Sequence, residues 1–176
     1  MPNIFFISDT HFGHQGMCQF LRSDGTKVRP FLYSDQCDDV MVENWNKTVR
    51  PNDKIYHLGD VAIKRQYIKV LEKLNGDKIL IRGNHDIFKL KDYTTYFRDI
   101  RATHKLDYFL LSHYPVHQDC LEGHVKVNVH GHLHYKRVLQ NQSRIDPKYV
   151  NVSVECINYT PVSLDEVAKM HKDQSS

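Results

Sequence analysis

No apolar run in this sequence approaches the roughly 20 residues that a helix needs to cross a bilayer, so a membrane-spanning helix is not expected. Charge of one sign is equally lacking. Lys and Arg number 24 against 21 Asp and Glu, a formal net charge of +3, too mild for the footprint of a dedicated nucleic-acid binder. Cysteine is sparse and unpatterned: Cys18, Cys37, Cys120 and Cys156 form no C-x-x-C pair, which excludes a thiolate zinc site and argues for free thiols over a disulfide framework. The apolar stretch at residues 4–7 is too short for a secretory signal and has no basic flank, so the expected location is the cytoplasm. With 40% hydrophobic residues, ten Tyr and eight Phe in 176 residues, disorder is excluded and a single domain over residues 1–176 is expected.

What is abundant is histidine, 12 residues, most of them on or beside short polar signatures. These are Asp9-Thr-His11, Gly59-Asp60, Gly83-Asn84-His85-Asp86, His113 and Gly131-His132-Leu133-His134, and nearly all follow an apolar run. Residues 3–7, 54–58 and 78–81 are β-branched or aromatic stretches that suit buried strands, each ending at one signature. Between them, residues 35–49 carry apolar side chains at helical spacing behind a candidate N-cap, Ser34, and residues 65–74 repeat the amphipathic pattern. Strand, polar tip, helix is the order of parallel β-α-β units, whose sites lie at the carboxyl ends of the strands. Further on, residues 99–103, 108–112, 126–130 and 149–154 are strand candidates with little helix between them, so a second, more antiparallel sheet is expected. Ser163-Leu-Asp-Glu166 is a capping box that opens a last helix to about residue 171, with fraying expected over 173–176.

Asp, His and Asn at strand tips are oxygen and nitrogen donors for divalent metals, and imidazole with carboxylate favours Mn, Fe, Zn, Co or Ni over calcium, with manganese expected foremost. Two such ions about 3.5–4 Å apart clamp a phosphate and activate water, and the pair needs a bridging carboxylate, for which Asp60 is the candidate. Asp9 and His11, two apart on an extended tip, are expected to point to one side, and His132 and His134 to repeat that geometry.

In that order the motifs D-x-H, G-D, G-N-H-D, H and G-H-x-H resemble the calcineurin-like metallophosphoesterase superfamily. The stretches around Asp9, Asp60 and Asn84 are most similar to its small single-domain members from bacteria and phages. The resemblance implies an α/β fold of two facing mixed sheets flanked by helices, a four-layer α-β-β-α sandwich, and two divalent ions. It implies that one ion takes Asp9, His11, Asp60 and His134 and the other Asp60, Asn84, His113 and His132. A bridging hydroxide would then attack a phosphomonoester or phosphodiester in line, with His85 stabilising the phosphoryl charge or protonating the leaving oxygen. Asp60 and His85 are thus the catalytic pair. The sequence departs from the protein-phosphatase branch at Ile63, where that branch has an Asp that orients the catalytic His. Asp86 is the nearest substitute. A small phosphoester or nucleotide in an open cleft is therefore the expected substrate, with nucleic acid as a further partner.

His14, Arg82 and Asn84 are the candidate substrate contacts, and Lys64 is a further cation for phosphate charge. His57 and His130 lie inside strand runs and are read as buried supports, and Trp45 as core. A nuclease acting on DNA or RNA ends is the alternative within the same chemistry. A non-catalytic scaffold is the alternative from another class.

Overall fold

Three short apolar segments, Ile4–Ile7 (β1), Lys54–His57 (β2) and Asp77–Ile81 (β3), lie side by side and parallel in a computed structural model that describes residues 2–175. The register pairs Ile7 with His57 and His57 with Leu80, so the tips that follow these strands open on one edge. Asp99–Arg101 (β4) adds a parallel strand beside β3, and Val162–Ser163 (β11) an antiparallel one beside β1. The order is β11-β1-β2-β3-β4.

The second sheet is built from Thr103–Leu106 (β5), Phe109–Ser112 (β6), Val127–His130 (β7) and Tyr149–Asn151 (β10), in the order β10-β7-β6-β5. Only β5 and β6 pair antiparallel; β6, β7 and β10 run parallel, against the sequence expectation. The reason is the segment 113–126, which supplies the crossover that parallel strands need without a helical pattern to announce it. The single strand expected over 99–103 is also divided, because the chain leaves one sheet at Arg101 and enters the other at Thr103. A two-stranded ribbon, Leu139–Gln140 (β8) with Arg144–Ile145 (β9), lies in the connection between β7 and β10.

Helix α1, Ser34–Thr48, buries Cys37, Met41 and Trp45, the i, i+4, i+8 stripe of an amphipathic helix. Tyr33 rather than Ser34 is its N-cap. Residues Arg65–Lys73 form 3-10 turns in place of the expected α-helix, and a short helix α2, Leu90–Thr94, precedes β4. Helix α3, Leu164–Ser175, opens on the expected box: the Ser163 amide donates to Glu166 Oε2 at 2.6 Å and the Glu166 amide to Ser163 Oγ at 3.2 Å. It continues past residue 171 to Ser175; Ser176 lies outside the described residues.

One buried cluster joins the sheets, with Phe6, Ile7, Trp45, Ile55 and Leu58 from the first half packed with Val127, Val129 and Val150 from the second. A smaller one, Leu110, Leu121, Val125 and Tyr149, lies under the crossover segment. All four cysteines are free; Cys18 and Cys37 are buried, while Cys120 is exposed. Among the described residues no helix is long and apolar enough to cross a membrane.

Candidate metal centre

Every signature sits just past the carboxyl end of a parallel strand: Asp9 after β1, Asp60 after β2, Asn84 after β3, His113 after β6 and His132 after β7. The tips are tied to one another through the backbone. The His11 amide donates to the Asp60 carbonyl at 3.0 Å, the Asp9 amide to the Gly59 carbonyl at 2.9 Å and the Gly131 amide to the His113 carbonyl at 3.0 Å. Asp9, His11, Asp60, His132 and His134 all have left-handed φ, between +47° and +67°. Asp9 and His11 therefore converge through backbone twist, not through the side-to-side alternation of an extended tip. Left-handed φ is uncommon for residues with a side chain and clusters at functional sites.

Glycine at two positions is required by close approach. A Cβ on Gly131 would meet Ser8 Oγ at 2.0 Å and Asp9 Oδ2 at 2.3 Å, and one on Gly83 would meet Asp60 Oδ1 at 2.3 Å.

Two groups of donors result, Asp9 with His11 and His134, and Asp60 with His113 and His132, each with ligand atoms within 4.8 Å of one another. Asp60 stands in the second group alone, and Asn84 in neither. Asp60 Oδ2 lies 3.5 Å from His11 Nε2 and 3.4 Å from His113 Nε2, between the groups. Its other oxygen, Oδ1, accepts the His85 amide at 2.8 Å. Asp9 is divided likewise: Oδ2 accepts from the His132 amide at 2.9 Å and the Ser153 hydroxyl at 3.0 Å, whereas Oδ1 is buried with no hydrogen-bond partner. In each carboxylate one oxygen fixes the group, leaving the other turned to its histidines.

The donor set fits divalent cations. Besides Asp9 Oδ1, both ring nitrogens of His11 are buried without a hydrogen-bond partner. His113 Nδ1 lies 2.8 Å from the Leu58 carbonyl, which can only accept, so the proton sits on Nδ1. Its Nε2 faces two acceptor oxygens, Asn84 Oδ1 at 2.8 Å and Asp60 Oδ2 at 3.4 Å. Oxygens so close to that nitrogen are stabilised by a cation or a proton between them. Burial drives His11 well below its usual pKa and raises Asp9. Burial also opposes the charged form of Asp60, yet the hydrogen bond and charge of His113, with help from His11 and the His85 amide, hold it down at about 2.

The sequence did not single out Arg29 and Glu155, which stand behind the first group. Glu155 accepts from Arg29 Nε at 2.8 Å, and both of its oxygens lie 3.3 Å from His134 Nδ1. Arg29, 2% exposed, also donates to the carbonyls of Thr10 at 2.8 Å and Asp9 at 2.6 Å. Burial disfavours the Glu155 carboxylate, but the Arg29 charge and the His134 hydrogen bond bring it to about 2. Arg29 and Glu155 are 126 residues apart, and neither belongs to a motif, so no local signal marked them.

Asp86 does not hold His85. Its carboxylate accepts the amides of Asp60 (2.8 Å), Val61 (2.9 Å) and Gly83 (2.8 Å), clamping two ligand tips together. Arg82 is exposed, with Nε donating to the Asp86 carbonyl at 2.7 Å and Nη2 to the Phe88 carbonyl at 3.4 Å. His85 is exposed with its ring 5.3 Å from that of His11. His14 lies at the rim, 5.6 Å from His11, and Lys64 stays exposed. His57 and His130 are wholly buried, and burial takes them to about 3 and about 4; His57 Nε2 pairs with Thr10 Oγ1 at 2.9 Å, steadying the first tip.

The model of the calcineurin-like phosphoesterases matches residues 2–152. An uncharacterized protein of Methanocaldococcus jannaschii is 36% identical over 178 residues, covering 97% of this chain and 92% of that one. Among solved structures, a protein of unknown function from Aquifex aeolicus superposes with a TM-score of 0.69 at 27% identity, over 97% of this chain and 100% of the other.

Proposed function

This chain belongs to the calcineurin-like phosphoesterase family, and on that premise we propose that it hydrolyses phosphomonoesters or phosphodiesters at a centre for two divalent ions, manganese foremost. Asp9, His11 and His134 hold one ion, His113, His132 and Asn84 the other, and Asp60 is shared. The observation that carries this reading is the place of Asp60 Oδ2, 3.5 Å from His11 Nε2 and 3.4 Å from His113 Nε2. When bound, the ions supply Lewis-acid charge that polarises the phosphoryl group and makes water a competent nucleophile.

The protein's own residues do the rest. The His85 amide fixes one oxygen of Asp60, which keeps the other aimed between the groups. The exposed His85 imidazole faces the cleft, free to hydrogen-bond a phosphoryl oxygen or give a proton to the leaving oxygen. Asn84 has its amide oxygen engaged with His113, so its NH2 group remains for the substrate. Small phosphoesters and nucleotides suit the mild net charge better than nucleic-acid ends do. A scaffold would have no use for Asp9 Oδ1 and His11 Nε2, buried without hydrogen-bond partners.

The test is turnover of aryl phosphomonoesters and bis-aryl phosphodiesters by Mn-loaded protein, together with metal content by elemental analysis. Activity on at least one class with about two ions per chain is the expected result. Two bound ions with no turnover of either class would sink it.

A further inference from the structure

Beside the ligand groups, the segment after β1 and the turn after β7 flank an open cavity of about 390 Å³. His132 and His134 form one wall, and they come one from each ligand group. The cavity is therefore adjacent to both groups, within reach of the ester substituent of a phosphate held between them. The facing wall is apolar, with Met17, Phe20 and Val28 opposite Leu133 and Tyr135.

Phe20 is 52% exposed although its backbone is fixed, its amide donating to the Gly16 carbonyl and its carbonyl accepting the Val28 amide, both at 2.9 Å. A half-wet ring on an ordered backbone leaves apolar area that a ligand can cover. Lys136 lines the cavity, and the Arg22 guanidinium, outside the lining, lies 5.0 Å from the centroid of the Tyr135 ring. No carboxylate is among the lining residues. Two aromatic rings and the Lys136 cation favour a flat, electron-rich group over a cationic one. The volume lies at the small end of ligand sites, enough for a ring with its linking atoms and too little for an extended chain.

We propose that this cavity receives the aromatic ring, of aryl or nucleobase size, of the phosphoester's organic group, and so makes the enzyme selective for aromatic esters. The inference rests on the phosphoester reading above.

The experiment is calorimetric titration of Mn-loaded protein with benzylphosphonate and methylphosphonate, neither of which is hydrolysed. Wild type is expected to bind the benzyl compound about tenfold or more tightly than the methyl one, from burial of the ring. Phe20→Ala, a change at a half-exposed position, narrows that ratio to about threefold or less and leaves methylphosphonate affinity unchanged. Equal affinities in wild type, or a ratio that survives both Phe20→Ala and Tyr135→Ala, would overturn the pocket while methylphosphonate still binds. Failure of both phosphonates to bind would overturn the phosphoester reading and the pocket with it.

Discussion

Both carboxylate oxygens of Glu155 stand 3.3 Å from Nδ1 of His134. The corresponding nitrogen of His113 faces a neutral carbonyl instead, that of Leu58 at 2.8 Å. A carboxylate behind an imidazole makes its other nitrogen a better ligand, an effect typically worth 10–100-fold in metal affinity. The group Asp9, His11 and His134 is therefore expected to be the tighter of the two. Titration of metal-free protein with Mn, followed by calorimetry, is expected to show two steps, and Glu155→Gln to weaken the tighter step by about tenfold or more. Equal weakening of both steps would contradict this.

The same carboxylate sets an acid limit. Arg29 holds Glu155 at about 2, below its ordinary 4.5. A depressed carboxylate gives stability that is fully present above the unfolded pKa and is lost as pH falls through the folded one. The contribution of roughly 3 kcal/mol thus fades between pH 4.5 and about 2. In denaturant melts of metal-free protein, the stability gap between wild type and Glu155→Gln should shrink across that window. A gap independent of pH would refute the charge pairing. His57, taken by burial to about 3 from 6.5, has the same sign, and its loss begins earlier, as pH drops below 6.5.

Asp60 and His85 separate ligation from catalysis. Asp60→Asn should bind fewer than two ions and lose activity by about 10³-fold or more, since a neutral amide is a poor bridge. His85→Ala should keep both ions, because only its backbone amide touches Asp60, yet turn over about 10²–10⁴-fold more slowly. Elemental analysis and steady-state rates on one aryl ester decide both. A fast His85→Ala enzyme would remove His85 from the mechanism.

Gly131→Ala and Gly25→Ala make a matched pair. The first drives a methyl into Ser8 and Asp9, while at Gly25, with φ of +81°, a Cβ meets nothing within 4 Å. Gly131→Ala should cost about 1–3 kcal/mol from overpacking and weaken Mn binding as Asp9 is displaced. Gly25→Ala should cost about 1 kcal/mol and leave the metal titration unchanged. Thermal melts and the same titration read both, and equal metal affinity in the two variants would count against the tight seat of Asp9.

Three strands of the first sheet, β1, β2 and β3, were legible because each is a short apolar run stopped by a polar tip, whereas β4, Asp99–Arg101, has no such run. The donor set was legible because its motifs keep their order along the chain. What stayed hidden is non-local. Arg29 and Glu155 meet across 126 residues and look in sequence like any surface pair. The parallel pairing of β6 and β7 depends on an irregular crossover at 113–126, and the spread of Asp86 over three amides exists only once two tips are adjacent. The twist of Asp9 and His11 was invisible for another reason: neither residue type demands left-handed backbone, so only the assembled tips impose it.

That twist makes the centre a burden on the fold that carries it. Five non-glycine donors in left-handed backbone, at about 1–2 kcal/mol each, amount to roughly 5–10 kcal/mol, as much as the whole net stability of many domains. The surrounding core must exceed this before any ion arrives. Substitutions far from the cleft that trim packing by a kilocalorie or two would then act as loss-of-function changes through abundance rather than chemistry. Selection on such a protein weighs its remote core nearly as heavily as its histidines.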